Sequence, residues 1–117
     1  VTGVALVAVS IERVDDLRRR YGERFAARWF TVGERAFCDQ RRLAAQHYAA
    51  RLAAKFAAAR LLGAVPLTSI EVERDAAGAP FLTLHEAAAA RCRAGRMHVS
   101  LSHDGGLAVA LVVGEDA

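Results

Sequence analysis

Arg51-Leu52-Ala53-Ala54-Lys55-Phe56-Ala57-Ala58-Ala59-Arg60-Leu61-Leu62-Gly63 is the stretch on which the fold turns. It closes a longer run, from Arg42 to Leu62, that contains neither Gly nor Pro and is crowded with Ala, the residue that loses least on entering a helix. Gly63 and then Pro66 provide the stop, so the run reads as the longest helix of the chain. It carries Lys55, the only Lys beside fifteen Arg. Arg51 and Lys55 lie four residues apart on one stripe and Phe56 and Arg60 on the next, while Gly63 lets other backbone approach the helix end closely. Forked guanidinium groups and a point-like ammonium gathered there suit phosphate oxygens. An amphipathic helix with solvated basic residues would have the same spacing.

Working towards the N-terminus, Thr31-Val32-Gly33-Glu34 has the capping-box spacing and predicts a helix from Thr31 to about Gln40. Ile11, Val14 and Leu17, followed by Arg18, Arg19 and Arg20, give an amphipathic helix ending near Tyr21-Gly22. Val4-Ala5-Leu6-Val7-Ala8-Val9 is apolar on both alternating faces and reads as a buried strand. Towards the C-terminus, Ser69 to Arg74 and Pro80 to Leu84 alternate around Asp75-Ala76-Ala77-Gly78 as a hairpin, and His85 to Ala94 reads as a helix closed by Gly95. Met97 to Ser102 and Leu107 to Val113 are two further strands. The predicted order is β-α-α-α-β-β-α-β-β, an α/β (α+β) chain forming a single domain over residues 1–117.

The 117 residues are 54% hydrophobic, enough for a core, and carry 16 Lys+Arg against 13 Asp+Glu. A net charge of +3 without a basic stripe or stacking aromatics excludes nucleic acid as the expected partner. No uncharged apolar run approaches the roughly 18 residues of a membrane span, and Glu12 and Arg13 interrupt the first apolar segment too early for a signal peptide. Cys38 and Cys92 are isolated, as small apolar fillers in a reducing cytoplasm would be. Nine of the Arg fall between residues 13 and 42, which favours an acidic partner, although a solvated helix face would have the same composition.

Ser100-Leu101-Ser102-His103-Asp104-Gly105-Gly106 places hydroxyls, an imidazole and a carboxylate at a strand end opening on Gly-Gly. Strand alternation puts Ser102 and Asp104 on one face and His103 on the other, which excludes a hydrolase triad. His103 remains a candidate phosphate ligand or general base, with a turn-forming Asp-Gly as the plain alternative. His47, His85 and His98 have no partner in sequence and read as structural or exposed.

Together these segments resemble the holo-acyl-carrier-protein synthases, the small phosphopantetheinyl transferases. The family's opening Gly-Ile-Gly-Ile-Asp and the segment after it correspond to Gly3-Val4-Ala5-Leu6-Val7 and Ile11-Glu12-Arg13-Val14, with Ser10 replacing a common Glu. Its Arg-Phe-x-x-Arg-x-Phe-Thr-x-x-Glu appears from Arg24 to Glu34, and its Arg-Phe-Ala-Ala-Lys-Glu-Ala-x-x-Lys-Ala-x-Gly from Arg51 to Gly63. The ending His-Val-Ser-x-Ser-His-Asp stands intact from His98 to Asp104. The match runs through nearly the whole chain in order.

The resemblance implies the 4'-phosphopantetheinyl transferase fold, assembly as a homotrimer with clefts between subunits, and transfer of the pantetheine arm of coenzyme A to a Ser of an acyl carrier protein. It places Lys55 and His103 at the catalysis, Arg51, Arg60, Gly63 and His103 around coenzyme A, and Arg13, Arg20, Arg24 and Arg28 on the carrier-protein face. In the family magnesium is held by the strand Asp and by the Glu after the signature Lys, positions filled here by Val7 and Phe56. Magnesium takes hard oxygen ligands in octahedral geometry. Neither side chain offers one, so magnesium is not expected, and Arg60 keeps the charge of a family Lys in forked form. Two functions follow from this pattern. One is phosphopantetheinyl transfer that is lost or very slow without the metal. The other is a repurposed carrier-binding subunit or metal-free enzyme on a carrier-bound acyl chain, for which His103, Asp104, Glu12 and Tyr48 are the available acid–base groups.

Overall fold

Nineteen residues, Ala44–Leu62, form the helix expected from the Ala-rich run, and Gly63 ends it at φ 94°, with its N–H donating to the Ala59 carbonyl at 2.8 Å. In this computed structural model, which describes residues 3–92 and 95–115, the helix is α4. Before it come β1 (Gly3–Ser10), α1 (Ile11–Tyr21), α2 (Glu23–Trp29) and α3 (Val32–Asp39). After it come a 3-10 turn at Leu67–Ser69, β2 (Ile70–Arg74), β3 (Pro80–Leu84), α5 (Glu86–Cys92), β4 (Arg96–Asp104) and β5 (Leu107–Glu115). The last two residues of the helix expected to Ala94 lie outside the described residues.

The strand order and the mixed architecture are those expected, with one addition. Four helices, not three, separate β1 from β2. Gly22, at φ 54°, ends α1 through its N–H to the Arg18 carbonyl and allows the chain to restart at once as α2. Seven residues are too few for a helical hydrophobic period to register in sequence. What holds α2 is its buried Phe25, edge-on to both Trp29 and Phe30.

β1, β5 and β4 form an antiparallel sheet in that order, and β2 pairs with β3. Asp104 pairs with Leu107 across a two-residue turn in which Gly105 and Gly106 both have positive φ, the geometry that matches strand twist in a tight hairpin. One sheet face, with Ala5, Val7, Ala108, Ala110 and Val112, is buried beneath α4. The other is bare. Val4 is 66% and Leu6 61% exposed, with Leu107 and Leu111 beside them. β1 is therefore buried on one face within a single chain, not two, because the helices cover only one side of the sheet. No helix among the described residues is long and apolar enough to cross a membrane.

Candidate functional site

Lys55 projects from α4 into the interior and has no exposed surface. Its Nζ lies 2.5 Å from Glu34 Oε1 and donates to the carbonyls of Leu67 at 2.8 Å and Ile70 at 2.6 Å. Glu34 is the capping-box residue of α3: Oε1 also accepts from Thr31 N–H, and Oε2 accepts from Val72 N–H. Four segments thus meet at one buried ion pair: the start of α3, the middle of α4, the 3-10 turn and β2. Burial pushes the Glu34 carboxyl up and the Lys55 ammonium down, each opposed by the charge of the other. Sequence reading marked both residues separately. Their pairing is invisible there, because it joins residues from two helices through the core.

One turn earlier on α4, Arg51 is 1% exposed. Its guanidinium stacks on the Phe37 ring at 4.1 Å, as does that of Arg41, and Arg74 from the end of β2 approaches the same ring at 5.8 Å. His47 meets Phe37 edge-on, and its pKa is pushed down by burial first and then by Arg51, Arg41, Arg74 and His103. Among the described residues no carboxylate forms an ion pair with these three Arg, and Arg51 Nε is buried without a hydrogen-bond partner. A cleft of about 170 Å³ opens between Gly33, Phe37, Arg51 and Arg74, with the carboxylates of Glu71 and Glu73 also in its lining. Sequence reading missed Phe37, Arg41 and Arg74 as parts of this cluster, since only folding brings α3, α4 and β2 together.

His103 faces α4, with Nε2 at 2.5 Å from Gln46 Nε2. With the amide as donor, Nε2 is the acceptor and the ring proton sits on Nδ1. Ser102 and Asp104 point to the other side, so no triad forms. Arg60 and Gly63 lie at the far end of α4, about 13 Å from Arg51 along the helix axis. Arg60 is exposed, and the Arg91 guanidinium packs so close to Gly63 that a Cβ there would meet it at 3.1 Å. Within one chain, then, the expected coenzyme A residues fall into two groups: Arg51 with His103, and Arg60 with Gly63.

At the two positions where the resemblance implies magnesium, Val7 belongs to the core around Ala53, Ala54 and Ala57. Phe56 turns outward, 37% exposed, with its ring edge-on to Trp29 at 6.3 Å. These side chains present methyl and aromatic carbon where a divalent cation takes oxygen, so the residues present do not fit the metal.

On the remaining helices Arg13, Arg20, Arg24 and Arg28 are all exposed, and Arg20 is tied to Asp16 at 3.2 Å. Arg24 and Arg28 flank a groove of about 310 Å³ lined by Leu17, Tyr21, Phe25 and Trp29. Tyr48 is buried and donates to Asp39 Oδ1 at 2.7 Å; burial and that carboxylate push its pKa up. His85 pairs with Glu71 at 2.9 Å and His98 with Glu115 at 2.8 Å, both at the surface. Cys38 and Cys92 are free and buried, and burial pushes the Cys38 thiol up to about 12.

None of the protein-family models compared with the chain matches it. The holo-[acyl-carrier-protein] synthase of Anaeromyxobacter dehalogenans is 42% identical over 126 residues, covering 100% of this chain and 98% of that protein. The enzyme of the same name from Paramagnetospirillum magneticum is 43% identical, over 98% of this chain and 96% of its own. The solved holo-[acyl-carrier-protein] synthase of Neisseria meningitidis superposes with a TM-score of 0.87 at 28% identity, covering 97% of this chain and 98% of that one. That of Bacillus anthracis, solved in complex with coenzyme A (3',5'-ADP), superposes with a TM-score of 0.82 at 26% identity, over 99% of this chain and 97% of the other.

Proposed function

The chain belongs to the holo-[acyl-carrier-protein] synthase family, and from that footing we propose that it transfers 4'-phosphopantetheine from coenzyme A to a serine of an acyl carrier protein, more slowly than relatives with carboxylates at positions 7 and 56. The serine oxygen forms a bond to the phosphorus bearing pantetheine, the bridging P–O bond breaks, and adenosine 3',5'-bisphosphate leaves. The serine proton passes to Nε2 of His103 once Gln46 releases its hydrogen bond to that nitrogen. The observation that carries this reading is the cluster of Arg41, Arg51 and Arg74 around Phe37, in which no Arg forms an ion pair among the described residues although Glu71 and Glu73 line the same cleft, and one buried guanidinium N–H is unpartnered. Such a cluster is built for phosphate oxygens. Lys55, enclosed by three acceptors, serves this site as a positioning residue that fixes α4 against β2.

The second part of the proposal is assembly. A sheet face with Val4, Leu6, Leu107 and Leu111 exposed supports a homotrimer packed through that face. In it the Arg51–His103 group of one chain would meet the Arg60–Gly63 group of the next, which one chain holds apart. Arg24 and Arg28, beside an aromatic groove, are the proposed landing for an acidic carrier protein, with Arg13 and Arg20 at its margin. The outward-turned Phe56, edge-on to the half-buried Trp29, favours a second reading, a subunit that binds the carrier, or acts on its acyl chain without a metal.

The test is incubation with apo carrier protein and coenzyme A, read by the intact mass of the carrier. Appearance of the phosphopantetheinylated mass, slowed at least tenfold by Arg74→Ala, is the expected result. Saturable carrier binding with no mass change over many hours would replace the first reading with the second.

A further inference from the structure

Resting on the proposed transfer, a more specific question is what neutralises the diphosphate of coenzyme A in this chain. We infer that the charge is met by guanidinium groups alone, with Arg60 taking the place of a divalent cation. The two positions that would hold the cation have been given over to packing. Val7 sits in the core against Ala53, Ala54 and Ala57, and Phe56 leans edge-on against Trp29. Val7 is 9% exposed, so even a water molecule bridging it to an ion would have no polar group to hold there. Arg60 stands one turn beyond Phe56 on the same side of α4, exposed and with no ion-pair partner among the described residues. Its fork spans two oxygens of a phosphate, where a lysine would offer a point charge. The Arg91 guanidinium, lying against Gly63 three residues further on, adds a second fork at the same helix end. A guanidinium that is part of the chain does not depend on the free magnesium concentration.

Four measurements on the full chain and its variants test the inference. Calorimetry with magnesium chloride, with and without coenzyme A and corrected for magnesium binding to coenzyme A alone, is expected to show no saturable site. One ion bound per chain would overturn the inference. The transfer assay run in EDTA and in millimolar magnesium is expected to give rates within twofold of each other. A rate more than tenfold lower in EDTA would overturn the inference and leave the proposed transfer standing. No transfer in either condition, with no magnesium heat, would overturn the transfer and leave the vacated metal positions in place.

The double change Val7→Asp with Phe56→Glu, or Phe56→Glu alone at the half-exposed position if the double variant does not fold, is expected to gain a magnesium-dependent rise in thermal midpoint that the wild type lacks. A folded double variant that gains none would refute the assignment of these two positions. Arg60→Gln is expected to weaken coenzyme A binding at least tenfold in EDTA. Unchanged affinity would show that Arg60 does not carry the charge.

Discussion

Replacing Lys55 by Met keeps the length and most of the volume of the side chain and removes one charge, which makes it a clean probe of the buried pair. In the wild type Nζ serves three acceptors: Glu34 Oε1, Leu67 O and Ile70 O. The variant leaves the Glu34 carboxylate buried with its two backbone donors but no cation, removes the Lys55 donor from the Ile70 carbonyl, and leaves the Leu67 carbonyl with only the Ile70 N–H. Removing one member of a buried pair typically destabilises by about 3–5 kcal/mol, a large part of the roughly 5–15 kcal/mol that holds a domain of this kind together. In urea this is a fall in midpoint on the order of 2 M at unchanged slope, followed by far-ultraviolet circular dichroism at one fixed protein concentration. The double variant Lys55→Met with Glu34→Gln removes both charges and should recover part of the loss, so the two changes are expected to be strongly non-additive. A loss below about 1 kcal/mol for Lys55→Met, or strict additivity in the double variant, would refute the claim that this pair clamps the four segments.

Three further outcomes follow from the geometry. Leu6→Glu, placed in the centre of the bare sheet face, should reduce the mass seen in sedimentation equilibrium to that of one chain; an unchanged oligomer would exclude this face as the contact. Arg24→Glu with Arg28→Glu should weaken carrier-protein binding at least tenfold at low salt, and wild-type affinity should itself fall as salt rises, because exposed charges are screened over about 8 Å at physiological ionic strength. For His47 the sign is set by its depressed folded pKa: the unfolded chain takes up the proton first as pH falls, so the stability His47 contributes is complete above its ordinary value of about 6.5 and is lost below it. As pH is lowered from 8 to 5 the thermal midpoint of the wild type should fall relative to that of His47→Gln, and parallel profiles would contradict this.

Much of the architecture could be read from local chemistry. An Ala-rich run stopped by Gly63 and a capping box at Thr31 each encode their own helix boundary within a few residues. Strand alternation set His103 on the face opposite Ser102 and Asp104, and the structure makes that the α4 side. What escaped was of two kinds. α2 is set by the packing of Phe25 against Trp29 and Phe30, and its seven residues have no periodicity of their own. Arg41 apart, the Phe37 cluster and the Glu34–Lys55 pair are formed by residues 10 to 37 positions apart, and no pattern within a single segment reports such a meeting. β1 shows the converse. Its apolar outer face was legible, but no element of the described chain covers that face.

The seam between α4 and the sheet is lined largely by Ala: Ala49, Ala50, Ala53, Ala54, Ala57 and Ala58 on the helix, facing strands that contribute Ala5, Ala108 and Ala110. Density there comes from the nearness of two backbones, not from the bulk of side chains. The seam therefore responds unevenly to change. Truncation can remove only a methyl, and Ala→Gly in the helix costs about 1 kcal/mol, mainly through backbone freedom. Enlargement must push helix and sheet apart, at about 1–3 kcal/mol for one added side chain. Because α4 carries Arg51, Lys55 and Arg60 along its length, a Val in place of Ala53 or Ala57 would tilt or lift all three together, and a change far from any polar group would register as a loss of alignment in the site.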